Sequence, residues 1–228
     1  QESTLRNYDR TRNIPGIAGT SLAGPHLRFG AVSIRHLVRL GLDYSDTWLN
    51  ELIWREFFMM ILFHFPYVVH GAFKKQYELI RWRNDPGEFD RWRRGDTGYP
   101  IVDAGMRQLN ATGWMPNRVR MIAASFLVKD LLVDWRWGEA WFAEKLIDYE
   151  LASNNGNWQW VAGTGCDAAP WFRIFNPHAQ TLKFDPSNAY IDTWVREPPS
   201  EYPSPIVDHA TAKARALLAY KEAFAFNS

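Results

Sequence analysis

Arginine recurs in three short segments: Trp54-Arg55-Glu56, Arg91 to Arg94, and Asn117-Arg118-Val119-Arg120. Arg118 and Arg120 fall in the first turn of a helix that Pro116 is placed to open. The helix dipole disfavours cations at that end. The placement makes sense if an anion docks there and the guanidinium groups share it; a solvated basic helix start is the other reading. Thr20-Ser21, between Gly19 and Gly24, offers small hydroxyls and free backbone N–H groups, the materials of a phosphate cradle. Its spacing matches neither common glycine-rich phosphate pattern, and a plain turn is the simpler account. Asp148, Glu150 and Asn154 gather ahead of Asn155-Gly156-Asn157-Trp158-Gln159-Trp160. Such a run supplies directed donors and acceptors suited to a heterocycle edge. The histidines show no metal-ligand spacing, and the single Cys166 allows neither an intrachain disulfide nor a multi-cysteine site, so no metal is expected.

Those groups need a scaffold, and composition bounds it. The 228 residues carry 26 Lys+Arg and 25 Asp+Glu, so any polyanion must be met by local charge. A 46% hydrophobic fraction supports a sizeable core and excludes a disordered chain. The longest apolar run, Phe57 to Phe63, falls well short of the roughly 20 residues that span a bilayer, so no membrane partner is expected. The cysteine usage and the lack of a signal-peptide pattern fit the cytoplasm. Twelve tryptophans are unusual. They fit an aromatic core, or a site that stacks planar ligands or passes electrons.

The elements read as follows. Residues 1 to 30 are loop-rich, punctuated by Pro and Gly. Ser33 caps a short helix over 34–40, stopped by Gly41. Residues 46–65 form a helix apolar enough to be buried nearly all round. Pro86 and Gly87 divide 81–94 into two pieces. Helices follow over 100–109, from Pro116 to about Trp135, and over 139–148. A short helical piece spans 192–195, and Asp208 caps a final amphipathic helix. Period-2 strands are absent. The expected fold is all-α: one globular multi-helix domain over residues 1–228.

Together, three segments resemble the photolyase/cryptochrome flavoprotein family: Thr97-Gly98-Tyr99-Pro100-Ile101-Val102-Asp103-Ala104-Gly105-Met106-Arg107, Gly113 to Met121, and Asn154 to Trp160. Gly19-Thr20-Ser21 and Asn176-Pro177 join them, and the match runs from about Tyr8 to the last helix. The resemblance implies that the domain holds FAD in a bent conformation. Tyr8, Thr20, Ser21, Leu22, Ala23 and Gly24 would contact its adenosine–phosphate part. Arg55, Asn117 and Arg120 would line the phosphates and ring. Asp148, Glu150 and Asn154 would face the flavin edge, with Asn154 opposite N5. Trp158, Trp135 and Trp82 match the family's electron relay. Trp54 and Trp160 match the pair that sandwiches a flipped-out pyrimidine dimer. Glu51 would bond the base edge, Met121 would line its side, and Arg12, Arg118 and Arg173 would meet DNA.

Glu51 and Met121 are similar to residues of class I enzymes acting on cyclobutane dimers, whereas relatives acting on (6-4) lesions tend to carry Gln and His. A cryptochrome-like photoreceptor without repair is the rival reading. The sequence departs from the family in three ways. The usual N-terminal α/β antenna domain does not precede Tyr8, so a longer parent protein is expected, its antenna chromophore unassigned and the first helices left with exposed apolar surface. Glu150 stands where Asp is usual. The Arg that commonly follows Thr-Ser is replaced by Leu22. The chain is expected to act as a monomer.

Overall fold

The computed structural model describes residues 2–225. Thirteen α-helices appear among them: α1 Glu2–Arg6, α2 Tyr8–Thr11, α3 Ala23–Arg28, α4 Ile34–Tyr44, α5 Asp46–His64, α6 Pro86–Arg94, α7 Pro100–Thr112, α8 Asn117–Ser125, α9 Trp135–Lys145, α10 Leu151–Ala162, α11 Pro177–Phe184, α12 Ala189–Trp194 and α13 His209–Ala225. A π-helical segment, Phe126–Asp130, follows α8, and 3-10 turns lie at Pro66–Val69 and Lys75–Leu79. The described residues contain no strand, as the all-α reading expects.

Local chemistry sets several helix ends. Ser45 Oγ accepts from Trp48 N at the start of α5. Asp85 caps α6 through the amides of Gly87 and Glu88, with Pro86 at the first position. Asn176 does the same for α11 ahead of Pro177. Gly113 closes α7 at φ +70°, a conformation suited to glycine. Asp208 accepts from Thr211 N, so it caps α13 as expected.

The main core joins α6 through α10 around Trp92, Met106, Phe126, Trp135, Phe142 and Trp158. Helix α10 sits centrally, packing on α5, α8 and α9. A second cluster, with Leu5, Tyr8, Leu37, Trp48 and Leu52, ties the N-terminal helices to α5. A third gathers Ile80, Leu132, Ala216 and Tyr220 beneath α13.

Several expectations are corrected. Three short helices lie within residues 1–30. Helix α4 runs through Gly41 to Tyr44, because Gly41 is where Leu49 of α5 approaches: a Cβ there would lie 3.0 Å from the Leu49 Cβ. Helix α5 is not buried all round. Trp48, Leu52 and Phe58 face inward, but Ile53, Met60 and Phe63 are exposed, Phe63 by 80%. Helices α4 and α10 cover only part of its surface. The helix expected to run to about Trp135 instead widens after Ser125, where Leu131 N bonds to Phe126 O, and the chain then turns at Leu132 with φ +53°. Asp134 opens a new helix there, so α9 starts and ends earlier than the expected 139–148.

Candidate functional site

Helices α5, α8 and α10, with the α9–α10 connection, enclose a cavity of about 420 Å³, in the size range of cofactor sites. Twelve of the residues singled out in the sequence line it: Arg12, Glu51, Trp54, Arg55, Asn117, Arg120, Met121, Asp148, Glu150, Asn154, Trp158 and Trp160. They lie far apart in sequence, and helix period explains the convergence. Glu51, Trp54, Arg55 and Phe58 share one face of α5; Asn154, Asn157, Trp158 and Val161 share one face of α10. The two helices approach closely because position 156 is glycine: a Cβ on Gly156 would overlap the Phe58 ring.

On one wall, Arg120 Nη2 donates to Asp148 Oδ2 at 2.9 Å, while its Nε donates to the Met115 carbonyl. Asp148 Oδ1 is buried and has no partner. A buried acceptor left open costs stability unless a donor fills it. Arg55, also on the wall, has no carboxylate partner among the described residues. The Asn154 Nδ2 donates to the Glu139 carbonyl at 3.1 Å, which leaves its Oδ1 as the atom free to meet a bound molecule. An open acceptor, an unpaired cation, an amide oxygen and indole surface in one cavity fit a group that combines a heterocycle with phosphates, such as FAD.

Glu150 lines the cavity, but its carboxylate is engaged as the cap of α10. It accepts from the amides of Ala152 and Ser153 and from the Ser153 hydroxyl. The extra methylene relative to Asp therefore finds partners. The Asn/Trp run divides between two tasks. Asn154 and Trp158 face the cavity, whereas Asn155 and Gln159 are buried on another face of α10 and hold the segment from Val68 to Phe73.

Nearer solvent, Arg12 Nη1 lies 2.6 Å from Glu51 Oε1. Arg12 also lies over the Tyr8 ring, 5.2 Å from its centroid. Burial, then the Glu51 charge, push the Tyr8 hydroxyl up to about 12. Arg118 donates to Asn13 Oδ1 and lies over the Phe184 ring. Its pKa is lowered by burial and by the neighbouring Arg12 and Arg173, so the three guanidinium groups make one positive cluster.

Ten residues singled out in the sequence do not line the cavity: Tyr8, Thr20, Ser21, Leu22, Ala23, Gly24, Trp82, Arg118, Trp135 and Arg173. The Thr20–Gly24 loop packs behind one wall. Ser21 Oγ accepts from Trp48 Nε1 at 3.1 Å, and a Cβ on Gly24 would lie 3.0 Å from Asp148 Oδ2. Leu22, at φ 51°, starts α3 and is exposed. Trp135 is buried in the same core as Trp158, and Trp82 packs against that core half-buried. Trp158 contacts Phe142 at 5.0 Å and Trp92 at 6.2 Å between ring centroids. Sequence reasoning missed Phe58, Phe142, Tyr149 and Asn157 as lining residues. Helical spacing held the signal for two of them: Phe58 is four residues from Trp54, and Asn157 three from Asn154.

The described residues contain no group of three or more metal-ligating side chains and no helix long and apolar enough to cross a membrane.

A family described as the FAD binding domain of DNA photolyase matches residues 48–200. A deoxyribodipyrimidine photo-lyase of Escherichia coli (strain K12) is 46% identical over 246 aligned residues, covering 95% of this chain and 52% of that protein. A bacterial class III photolyase from Agrobacterium tumefaciens superposes with a TM-score of 0.90 at 42% identity, over 96% of this chain and 53% of the other. A cryptochrome from Synechocystis sp. PCC6803 does so with a TM-score of 0.86 at 32% identity, over 95% and 52%. The chain thus spans about half the length of the curated relatives it matches.

Proposed function

Since the chain belongs to the photolyase family of FAD-binding domains, we propose that it is the helical part of an enzyme that splits cyclobutane pyrimidine dimers in DNA with light. One observation carries this reading: Glu51, Trp54, Met121 and Trp160 meet in the same cavity as Arg120, Asp148 and Asn154. When bound, FAD would supply the light-driven electron that opens the cyclobutane ring and take it back, so that the net reaction is a lyase reaction.

The chain's own residues would do the rest. Arg55, Asn117 and Arg120 would hold the phosphates and ring, the open Asp148 oxygen would accept from a ring N–H, and Asn154 would present its amide oxygen to the flavin edge. Glu150 would brace that wall by fixing the start of α10. Tyr8 and the segment Thr20, Ser21, Leu22, Ala23 and Gly24 would flank the adenosine end.

Photolyases are among the enzymes that extrude their target bases. Trp54 and Trp160 would stack on the extruded pair, worth ~1–3 kcal/mol per base. Glu51 would accept from the base edge, with Met121 as apolar lining. Arg12, Arg118 and Arg173 would meet phosphates, so binding should weaken with salt. Trp158, Trp135 and Trp82 would relay electrons toward the surface. The partners would be dimer-bearing DNA and, in a longer parent protein, an antenna domain.

The test is to purify the protein, record its visible spectrum and illuminate it with a dimer-containing oligonucleotide under reducing conditions. Light-dependent restoration of pyrimidines, lost in Trp54→Ala, supports repair. The similarity to a cryptochrome favours a second reading, photoreception without repair. It predicts bound flavin that photoreduces while no base is restored.

A further inference from the structure

We propose that the electron relay through Trp158, Trp135 and Trp82 does not end at Trp82 but continues to Trp171 through the buried ring of Tyr220; this rests on the relay reading above. The Trp82 ring meets Tyr220 edge-on, with centroids 6.0 Å apart at 86°. Tyr220 lies parallel to Trp171, at 6.1 Å and 8°. All three rings belong to the apolar cluster beneath α13, with no solvent layer between them. Trp171 is half-buried, and its neighbour Phe172, 5.7 Å away, is 60% exposed. The cluster therefore carries the path from Trp82 to another stretch of surface. Lys129 fixes its geometry: Nζ sits 3.6 Å over the Tyr220 ring and donates to the carbonyls of Ala162 and Trp171.

Tyr220 suits a bridge rather than an end point. Its hydroxyl donates to the Ala162 carbonyl at 2.6 Å, and the group is fully buried. A phenol yields an electron readily only when its proton leaves too, and a backbone carbonyl does not take that proton. Indole yields an electron first and can lose its N–H proton to water afterwards. The vacancy that reaches Trp82 from the cavity is filled by one electron from Trp171. Trp82 is thereby reduced and Trp171 oxidised, the indole proton passing to solvent. A small thiol in solution then returns an electron and a proton to Trp171 and becomes a thiyl radical, two of which couple to the disulfide.

The test uses the full flavin-loaded chain, oxidised at the start, with flash photolysis in the presence of thiol. Trp171→Phe is expected to shorten the lifetime of the oxidised-tryptophan signal and to lower the yield of stable flavin reduction several-fold. Peptide mass spectrometry after illumination with a spin trap is expected to find the adduct on Trp171. An unchanged lifetime with the adduct on Trp82 would overturn the proposal. So would a deprotonated-tyrosine signal that vanishes in Tyr220→Phe. Trp171→Tyr keeps a ring in the cluster should the Phe variant fold poorly, and is expected to replace the tryptophan signal with a tyrosyl one. Trp82→Phe is the control: if it changes nothing, the relay reading itself fails.

Discussion

Arg12 holds the carboxylate of Glu51 at 2.6 Å on the solvent side of the cavity, while Arg118 and Arg173 bring two more positive charges to the same neighbourhood. The carboxylate neutralises one member of a basic cluster; in the proposed complex a DNA phosphate would compete for the guanidinium. Glu51 would then be free to accept from a base.

Two variants separate these roles. Arg12→Ala should weaken binding of a dimer-bearing duplex and reduce the magnitude of the salt slope by about 1, the value for one lost phosphate contact. Glu51→Gln should instead strengthen binding to undamaged duplex, because Arg12 is released, while dimer restoration falls. Fluorescence anisotropy across a salt series reads the first effect, and illumination of damaged oligonucleotide the second. Weaker binding of undamaged duplex by Glu51→Gln would contradict the neutralising role.

Asp148 offers a sharper test of the cavity wall. One oxygen pairs with Arg120, and the other is buried without a donor. Asp148→Asn keeps the shape but loses the charge. It should reduce flavin affinity at least tenfold, about 1.4 kcal/mol, measured by equilibrium titration of the apoprotein. Unchanged affinity would mean that the open oxygen does not face the cofactor.

Trp158 is held by a close approach on its far side. A Cβ on Gly138 of α9 would overlap the indole's outer ring. Gly138→Ala should therefore displace the indole toward the cavity and cost about 1–3 kcal/mol, the usual range for overpacking a core. Denaturant unfolding measures the cost, and a changed spectrum of bound flavin reports the moved ring. A variant as stable as the parent, with an unaltered spectrum, would show that the core relaxes around the methyl group.

Much of the cavity was legible in the sequence because helix period brings chemistry at three- and four-residue spacing to one face. Glu51 with Trp54 was readable in that way; Asn154 with Trp158 was not, because the start of α10 has little apolar periodicity and no helix is expected there from the sequence. The Thr20–Gly24 loop was readable as a cradle but not as a segment packed behind a wall, since its position depends on the Trp48 indole and on Asp148, both distant in sequence. The π-helical turn at Phe126–Asp130 was invisible to periodicity: the surrounding residues stay apolar, so one widened turn leaves the pattern intact. The exposed side of α5 was misread for a related reason. Hydropathy shows that a surface prefers cover, not which element supplies it, and here α4 and α10 reach only part of it.

That widened turn also buries Asp130, whose carboxyl meets the His209 ring at the start of α13. Hydrogen bonding to Asp130 pushes the His209 pKa up, against partial burial, with Lys213 opposing and Asp208 adding to it. Asp130 is itself pushed up, by burial first, with His209 and Arg215 pulling the other way. A histidine whose folded value is raised stabilises the fold fully below its unfolded value of about 6.5 and loses that contribution as pH rises through the folded value. A carboxyl whose folded value is raised works in the same direction, in the acid range. The melting temperature should therefore fall from pH 6 toward pH 9 by an amount that His209→Gln removes, since glutamine can still donate but does not titrate. At pH 6 the variant should be less stable by about 1.5 kcal/mol, the low end for a hydrogen bond to a charged group, because His209 keeps some contact with solvent. Thermal unfolding of both proteins across that pH range checks the sign. A melting temperature that rises toward pH 9, or a variant that keeps the parent's pH dependence, would remove the His209–Asp130 contact as its source.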